Sequence, residues 1–251
     1  MANSFFEPGA QRSAKVHALF NQIANRYDLI NDLQSFALHR RWKHRLIALA
    51  NLKPGAAVLD VCCGTADLAL AMTAENATVA GLDFSEAMLQ VAQKRAREEP
   101  AAAGPKSCTP NPNFIRGDAQ RIPFCNDAFE VVTIGYGLRN LSHWETGLSE
   151  MFRVCKPGGR LLVLDFGKPH NSLWRIIYYA YLRVIVPVLG RAFAGNWNAY
   201  AYILESLKHY PAQQGVAQQM RLLGMDQVKV INLIGGAMSI NYGEKPVGKP
   251  A

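Results

Sequence analysis

The segment VLDVCCGTADL, residues 58–68, decides the fold that we predict for this chain. Its apolar first half ends in the acid Asp60, and a turn of small residues at Gly64 and Thr65 then leads into a helical pattern. Between a strand and a helix, such a turn points its backbone N–H groups at whatever lies above the sheet. The segment therefore predicts a strand, a turn that binds a nucleotide-like ligand, and a helix.

Short apolar runs alternate with helical patterns from Ala57 onward, which is typical of a parallel sheet covered by helices on both faces. Two strand-like runs on either side of Gly235-Gly236 predict a hairpin at the end of the chain. We expect a single α/β domain, residues 1–251, with a mostly parallel sheet. The predicted strands are 57–61, 78–83, 113–116, 130–135, 160–165, 228–233 and 237–241; the predicted helices lie within 13–50 and near 66–75, 85–98, 143–155 and 212–223; and residues 99–112 are predicted to be a surface loop.

A second acid, Asp83, ends the next predicted strand and is followed by Phe84. A carboxylate in this position can accept hydrogen bonds from both hydroxyls of a ribose. Asp118 and Ala119 come directly after the third strand, where a carboxylate and a backbone N–H can bind the amine and ring nitrogen of adenine. Taken alone, a Gly-Asp pair at this place is more typical of a simple turn. Beside the other strand-end acids, it predicts an adenosine site.

A dinucleotide could occupy the same architecture, so an NAD-dependent oxidoreductase is the alternative. Two details oppose it. Cys62 and Ala66 stand where the dinucleotide motif G-x-G-x-x-G has glycine, and Asp67 places negative charge at the helix start, where a pyrophosphate would bind. A sulfonium cofactor carries no phosphate, and Asp60 would attract its positive charge. S-adenosylmethionine is therefore the predicted cofactor.

Composition sets wider limits on the function. The chain has 27 basic and 19 acidic residues, a net charge of +8 and a pI near 9.3, which suits an anionic surface such as RNA or a lipid leaflet, although many soluble enzymes are equally basic. The five cysteines have no metal-ligand spacing, so we expect a reduced cytosolic compartment and no bound metal. Residues 1–20 do not resemble a secretory signal.

An aromatic and aliphatic insertion is predicted at residues 170–208. Its most apolar stretch, Ile176 to Leu189, is interrupted by Arg183 and Pro187. We therefore expect it to fall short of the roughly 20 apolar residues that cross a bilayer. The insertion either packs as a helical cover on the sheet or forms a tunnel and a membrane-contact surface. Basic residues that favour contact with anionic headgroups are Arg175, Arg183, Arg191 and Lys208.

Several segments are too particular for a generic cofactor-binding domain. They are FNQIANRYD at 20–28, Asn31-Asp32, HRRWK at 39–43 and GYGLRN at 135–140. With these segments the chain resembles, from Phe20 to Lys245, the ubiquinone/menaquinone biosynthesis C-methyltransferases, which methylate a ring carbon of a polyprenylated quinol. The resemblance implies a Rossmann-like, S-adenosylmethionine-dependent methyltransferase fold with a seven-stranded, mostly parallel sheet, a C-terminal hairpin, N-terminal helices and a helical insertion.

The resemblance also implies particular cofactor contacts and a quinol substrate. The implied contacts are Gly64, Thr65, Asp83, Asp118, Ala119 and Gly135, and we add Asp60 and Phe84 from the strand ends. Gly135 stands where serine is common in relatives, so only its backbone can contact the cofactor. Cys62-Cys63 is similar to members that make phylloquinone, whereas Glu205-Ser206 and Gly235-Gly236 are more similar to menaquinone and ubiquinone members. Demethylmenaquinol is the expected substrate, and the quinols of the ubiquinone and phylloquinone pathways are alternatives.

Ring methylation requires an electron-rich carbon, which a quinol gains when a hydroxyl with a pKa near 10 is deprotonated. Arg139 and Asn140 follow the fourth strand, so a guanidinium and an amide can hold the quinol oxygens. The resemblance places Arg139 nearest to proton removal, yet a guanidinium is a poor base. Water, Tyr27, Asp28 or His39 remain open as proton acceptors. The predicted catalytic set is Arg139, Asn140 and Tyr27.

The expected partners are a lipid-soluble prenylated quinol and a membrane surface, with no nucleic acid. We expect a cytoplasmic enzyme that is peripheral on the inner face of the cytoplasmic membrane, and a homodimer is one option for its oligomeric state. An RNA methyltransferase is the main alternative from another substrate class. It is disfavoured because no basic stripe is interleaved with stacking aromatics on the predicted core. A non-catalytic S-adenosylmethionine-binding protein is the third hypothesis.

Overall fold

The computed structural model describes residues 12–23, 27–98, 111–195 and 197–248. Most of the predicted 99–112 loop therefore lies outside the described residues. The predicted strands form one sheet in the order β3-β2-β1-β4-β5-β7-β6. Neighbours among β1 to β5 run parallel, whereas β7 pairs antiparallel with both β5 and β6, which confirms the mostly parallel sheet with a terminal hairpin. The strands are β1 Ala57–Val61, β2 Thr78–Asp83, β3 Asn113–Arg116, β4 Phe129–Gly135, β5 Cys155–Phe166, β6 Asp226–Leu233 and β7 Met238–Glu244.

The helices follow the predicted order, with three helices before the sheet and two in the insertion. They are α1 Arg12–Ile23, α2 Tyr27–Ser35, α3 Leu38–Ala50, α4 Asp67–Ala74, α5 Glu86–Glu98, α6 Trp144–Val154, α7 Ser172–Ala194, α8 Trp197–His209 and α9 Ala212–Leu222. Strand β5 begins earlier than the predicted residue 160. Cys155 already pairs with Phe129, and a register shift follows before Arg160 pairs with Val131.

Both faces of the sheet are buried, as the apolar runs of its strands require. Alternate residues of β1 serve the two faces, because side chains along a strand point to opposite sides. Val58 belongs to a cluster with α3 and α4, whereas Leu59 and Val61 belong to a cluster with α1, α6, α8 and α9. The second cluster extends into the insertion through Tyr178 and Leu182 of α7.

Helix α7 corrects the prediction for the insertion. It runs unbroken for 23 residues through both Arg183 and Pro187. The Asn171 side chain caps its start by accepting a hydrogen bond from the Trp174 N–H, and Gly195 ends it with a φ of 69°. By length and composition the helix could span a membrane, because an 18-residue window within Ser172–Phe193 has a mean hydropathy of 1.4. Its contacts with α2 and α8 nevertheless tie it to the rest of the protein.

Candidate active site

The carboxyl ends of β1, β2 and β4 meet at one edge of the sheet. Strand order reverses between β1 and β4, since β2 and β3 lie on one side and β5 on the other. Loops that leave the two central strands in opposite directions open a crevice between them, which is where open α/β sheets bind ligands. The described residues line a cavity at this crevice. Its polar wall includes Gly64, Asp83, Asp118, Gly135 and Asn140.

The turn after β1 holds an unusual backbone conformation. Cys62, Gly64 and Ala66 all have positive φ values, of 54°, 55° and 72°. Such conformations cost energy for residues with a side chain and cluster at functional sites. A Cβ placed on Gly64 would have no atom within 4 Å, so the space in front of this glycine is open. A ligand can therefore approach the backbone closely at this turn.

Asp83 is held at the cavity wall by backbone amides. Gly64 N–H donates to its Oδ2 and Ser85 N–H donates to its Oδ1, each at 2.9 Å. Burial raises the pKa of this carboxyl, while those N–H groups oppose the rise. The carboxylate is thus fixed in orientation and lines the cavity beside Phe84. This open turn and fixed carboxylate fit the ribose of S-adenosylmethionine.

Asp118 and Ala119 also line the cavity. The Oδ1 atom of Asp118 accepts hydrogen bonds from the backbone N–H and the side-chain amide of Gln120, at 2.8 Å and 3.3 Å. This is the local turn that the simpler interpretation of the Gly-Asp pair predicts. The turn and the adenine contact are compatible, because Oδ2 has no hydrogen bond within the described part of the chain.

Asp60 and Thr65, also predicted to contact the cofactor, are placed differently. Asp60 is 1% exposed and accepts a hydrogen bond from Thr133 Oγ1 at 2.8 Å. Burial raises its pKa to about 7. Thr65 donates through Oγ1 to Asp28 at 2.7 Å. Neither residue is in the cavity wall, so their direct contact with a cofactor stays a prediction.

Asp67 does not present the free negative charge that we assumed in arguing against a pyrophosphate. Lys43 Nζ lies 2.5 Å from its Oδ2, and Arg95 Nη1 lies 2.6 Å from its Oδ1. Burial opposes ionisation of Asp67, but these two cations outweigh it and lower its pKa to about 2. Asp67 is therefore ionised, and the two cations neutralise its negative charge. The electrostatic argument against a dinucleotide was wrong. Of the two details, only Cys62 and Ala66 in place of the motif glycines still oppose a dinucleotide.

Arg139 forms a buried ion pair that the sequence did not predict. Its Nη1 lies 2.9 Å from Asp165 Oδ1, and the two side chains are 7% and 3% exposed. The guanidinium also stacks on Phe166, with its carbon 4.5 Å from the ring centroid, and donates to the Tyr136 carbonyl. These contacts fix its plane. Asp165 ends its strand on the same edge as Asp60 and Asp83, and that shared position was the available signal.

A second and larger cavity, of about 320 Å³, lies on the other side of Tyr136. Phe20 and Tyr136 line both cavities, so the two spaces are neighbours at these residues. Arg139 and His39 are charged or titratable groups in the second wall, which is otherwise mostly aliphatic and aromatic. The remaining apolar lining comes mainly from α7 and α8, among them Ile177, Tyr178, Tyr181, Leu182, Val186, Tyr200, Tyr202 and Ile203.

The predicted catalytic residues divide between the two cavities. Asn140 lines the first, donates through Nδ2 to the Tyr136 carbonyl at 3.1 Å, and has an Oδ1 atom that is buried with no hydrogen-bond partner in the described structure. Arg139 lines the second. Tyr27 is the first residue of α2, and its side chain lies outside the described residues. Tyr136, which sequence reasoning missed, adopts a strained φ of 62° between the cavities.

Comparison with solved structures identifies the fold. Magnesium protoporphyrin IX methyltransferase from Synechocystis, solved with bound S-adenosylhomocysteine, superposes with a TM-score of 0.64 at 16% identity, over 93% of this chain and 99% of that one. An S-adenosylmethionine-dependent methyltransferase from Aquifex aeolicus gives 0.58 at 17% identity, over 86% and 96%. The chain therefore has the fold of S-adenosylmethionine-dependent methyltransferases.

Sequence comparison assigns the chain to one family. The family model described as the ubiE/COQ5 methyltransferase family matches residues 9–245, and the chain belongs to that family. Demethylmenaquinone methyltransferase of Desulfitobacterium hafniense is 39% identical over 95% of this chain and 92% of its own length. The ubiquinone/menaquinone biosynthesis C-methyltransferase of Azotobacter vinelandii is 37% identical over 95% and 93%. The resemblance read from the sequence motifs is confirmed.

Proposed function

We propose that this enzyme methylates a ring carbon of a polyprenylated hydroquinone, with demethylmenaquinol as its substrate. One observation carries the choice of substrate: an apolar cavity of about 320 Å³ shares Phe20 and Tyr136 with the wall of the cofactor cavity and has Arg139 in its own wall. A hydroquinone with an isoprenoid tail has this same division into a polar head and an apolar chain. The names of the relatives in this family support the quinol class.

The residues at the junction suit methylation of an aromatic carbon. Arg139 is held in one orientation by Asp165 and Phe166, so its cation can face a quinol oxygen without reorganising. A nearby cation lowers the pKa of a phenolic hydroxyl, which makes the adjacent ring carbon more nucleophilic. Asn140, with its free Oδ1, can accept a hydrogen bond from the cofactor or the second hydroxyl. S-adenosylmethionine supplies the methyl group when it is bound.

The test is a reconstituted reaction. The purified protein is incubated with S-adenosylmethionine and the reduced form of 2-prenyl-1,4-naphthoquinone in detergent micelles, and the product is identified by mass spectrometry. We expect the naphthoquinol to gain one methyl group on its ring. Parallel reactions with a prenylated benzoquinol and a phytyl naphthoquinol separate the ubiquinone and phylloquinone alternatives. Methylation of RNA with no methylation of any quinol would contradict the proposal.

We further propose that the enzyme is cytoplasmic and contacts the inner face of the membrane through α7 without crossing it. One stripe of the helix, Tyr178, Leu182 and Val186, is at most 7% exposed and packs into the protein. A helix with one face packed against its own domain can lie in the membrane interface but is not free to span the bilayer. The rest of the helix surface carries exposed apolar side chains, among them Leu173, Ile176, Val184, Ile185 and Val188, each at least 45% exposed.

Vesicle binding tests this surface. We expect the protein to sediment with vesicles containing anionic phosphatidylglycerol and to be released partly by salt, since basic side chains such as Arg175 and Arg183 flank the apolar stripe. The double substitution Ile176→Glu with Ile185→Glu should abolish sedimentation. Leu222→Glu, which changes a 73% exposed leucine at the end of α9, is the matched control. Unchanged sedimentation of the double variant would place the membrane contact elsewhere.

A further inference from the structure

His39 is a buried histidine in the wall of the larger cavity. It belongs to α3, is 4% exposed, and lines the cavity together with Ser35, Trp42 and Arg139. A histidine in an apolar wall could serve packing alone. Its hydrogen bonds, however, distinguish the two ring nitrogens, and this distinction decides what the side chain can do.

The tautomer of His39 follows from the bonds that Ser35 makes. The Ser35 hydroxyl donates its one proton to the Asn31 carbonyl at 2.6 Å, and it accepts the backbone N–H of His39 at 3.3 Å. His39 Nδ1 lies 2.8 Å from the same Ser35 oxygen. Because the hydroxyl proton is already donated to Asn31, this oxygen can only accept a hydrogen bond from Nδ1, so Nδ1 carries the proton. Asp32 Oδ1, 3.8 Å from Nδ1, favours the same assignment. Nε2 is therefore the unprotonated nitrogen.

The lone pair of Nε2 is available for a substrate. Every hydrogen bond and ion pair of the His39 ring within the described structure engages Nδ1. The charged groups around the ring are Asp32 of α2, Arg40 and Lys43 of α3 and Asp67 of α4. Burial first, and Lys43 next, lower the pKa of His39 to about 4, against the opposing effect of the two aspartates. At neutral pH the imidazole is uncharged and can accept a proton.

The other groups near the junction are poor proton acceptors. The Arg139 guanidinium has no lone pair to accept with. Asp165 already accepts from Arg139 Nη1 and Phe166 N–H at Oδ1 and from Arg139 N–H at Oδ2. Asp28 accepts from Thr65 and Arg95 and lines neither cavity. Unlike Arg139, Asp165 and Asp28, His39 combines a basic nitrogen that makes no hydrogen bond in the described structure with a place in the wall of the large cavity.

We propose that His39 is a catalytic residue of quinol methylation and that its Nε2 accepts the proton that leaves the ring. This inference rests on the proposed function. The ring carbon forms its bond to the methyl carbon as the S–CH₃ bond breaks, and the sulfur leaves as a neutral thioether. The C–H electron pair then returns to the ring, which restores aromaticity, while the proton passes to Nε2. Asp32 and Asp67 partly offset the burial and the Lys43 charge that disfavour the resulting imidazolium, which therefore readily releases its proton to solvent.

The test compares His39→Asn with the wild type in the reconstituted naphthoquinol reaction. An asparagine amide can still donate to Ser35 from the position of Nδ1, but it has no group at Nε2. We expect kcat to fall by about 10²- to 10⁴-fold, the usual contribution of a general base, with the affinity for S-adenosylmethionine unchanged in calorimetry. His44→Asn, on the exposed side of the same helix, is the matched control and should keep wild-type kcat.

Two readouts separate a proton acceptor from a packing residue. If His39→Asn slows proton loss, a substrate deuterated at the reacting ring carbon should show a primary isotope effect on kcat that is larger than in the wild type. Added imidazole should restore part of the activity of His39→Ala. Wild-type kcat in His39→Asn, or a loss of kcat with neither the isotope effect nor the rescue, overturns the proposal.

Further measurements keep the outcomes distinct. If His39→Asn does not fold, as judged by its thermal transition, His39→Gln is measured with the same deuterated substrate. Ser35→Ala should lower kcat less than His39→Asn, because it removes the hydroxyl that fixes the His39 tautomer but leaves the base in place. Ser35→Thr keeps a hydroxyl and should retain a kcat close to that of the wild type. A wild-type enzyme that leaves every quinol unmethylated contradicts the proposed function, and the role of His39 falls with it.

Discussion

The edge of the sheet at β1, β2 and β4 and the helical cover made by α2, α3, α7 and α8 are built from different kinds of sequence information. At the sheet edge, Asp83 and the Gly64 turn are held by backbone N–H groups whose positions follow from strand ends. In the helical cover, the large cavity exists because residues from the two ends of the chain pack together. The first region defines the methyltransferase class, and the second suits the acceptor substrate. We therefore expect substitutions in the two regions to be separable.

The largest effect is expected at their boundary, where Arg139 pairs with Asp165. Asp165→Ala leaves a buried guanidinium without its carboxylate partner, so the free energy of unfolding should fall by about 3–5 kcal/mol in chemical denaturation. Arg139→Met combined with Asp165→Leu should recover most of that stability and bind S-adenosylmethionine, yet lose quinol turnover.

The control for this pair is Glu130→Ala. Its partner Lys156 lies 3.4 Å away, and the two side chains are 45% and 40% exposed, so the loss should be below about 1 kcal/mol. If the double variant at Arg139 and Asp165 failed to bind the cofactor while remaining folded, the proposed boundary between the two regions would be in the wrong place.

A somewhat smaller effect is expected beneath the cofactor turn. The pKa of Asp60 is about 7 in the folded protein against 3.8 ordinarily. Between about pH 4 and pH 7 the unfolded chain therefore loses this proton while the folded protein keeps it, so the free energy of unfolding falls as the pH rises. Asp60→Asn cannot ionise and can still accept the Thr133 hydrogen bond. Relative to the wild type without cofactor, its free energy of unfolding should rise by roughly 2–4 kcal/mol across that window and stay constant above it.

Denaturation at several pH values measures this difference. Asp226→Asn, at an exposed carboxyl that begins β6, is the matched control. An Asp60→Asn variant that parallels the wild type at every pH would mean that Asp60 ionises freely in the folded protein.

A test confined to the sheet edge is Asp83→Ala. The loss of a fixed carboxylate that is expected to accept the ribose hydroxyls should weaken S-adenosylmethionine binding by about 1.5–3 kcal/mol, or roughly 10- to 100-fold in Kd. Calorimetry with the intact protein measures it. Asp118→Ala should cost less, because that carboxylate is exposed and already bonded to Gln120. Equal losses in the two variants would contradict the ranking of these acids.

The smallest effect is expected in the helical cover. The Tyr181 hydroxyl of α7 donates to the Gln34 carbonyl of α2 at 2.5 Å and so ties two walls of the large cavity together. Tyr181→Phe should lower kcat/KM for the quinol by the equivalent of about 0.5–1.5 kcal/mol and leave cofactor binding unchanged. Tyr179→Phe, on the same helix, removes a hydroxyl for which the described structure shows no hydrogen bond and should have no effect. A change in cofactor affinity in Tyr181→Phe would show that the two regions are coupled.

The strands and the cofactor-side residues were predictable because they depend on patterns within a few residues. A strand that ends in Asp60 or Asp83 places those residues at the sheet edge whatever the rest of the chain does. The limits of α7 were less predictable. A proline inside an apolar run usually ends a helix, but packing of α7 against α8 and α2 holds this helix together through Pro187.

By itself, the sequence determined the α/β fold, the turn at Gly64, the carboxylates at the strand ends and membership of a quinol methyltransferase family. Only the tertiary structure decided that Lys43 and Arg95 neutralise Asp67, that Asp165 holds Arg139, and that His39 contacts Ser35 through Nδ1 in the wall of an apolar cavity. The physical reason is range. Backbone conformation follows from neighbouring residues, whereas the charge and hydrogen bonding of a buried side chain depend on partners that only folding brings within a few ångströms.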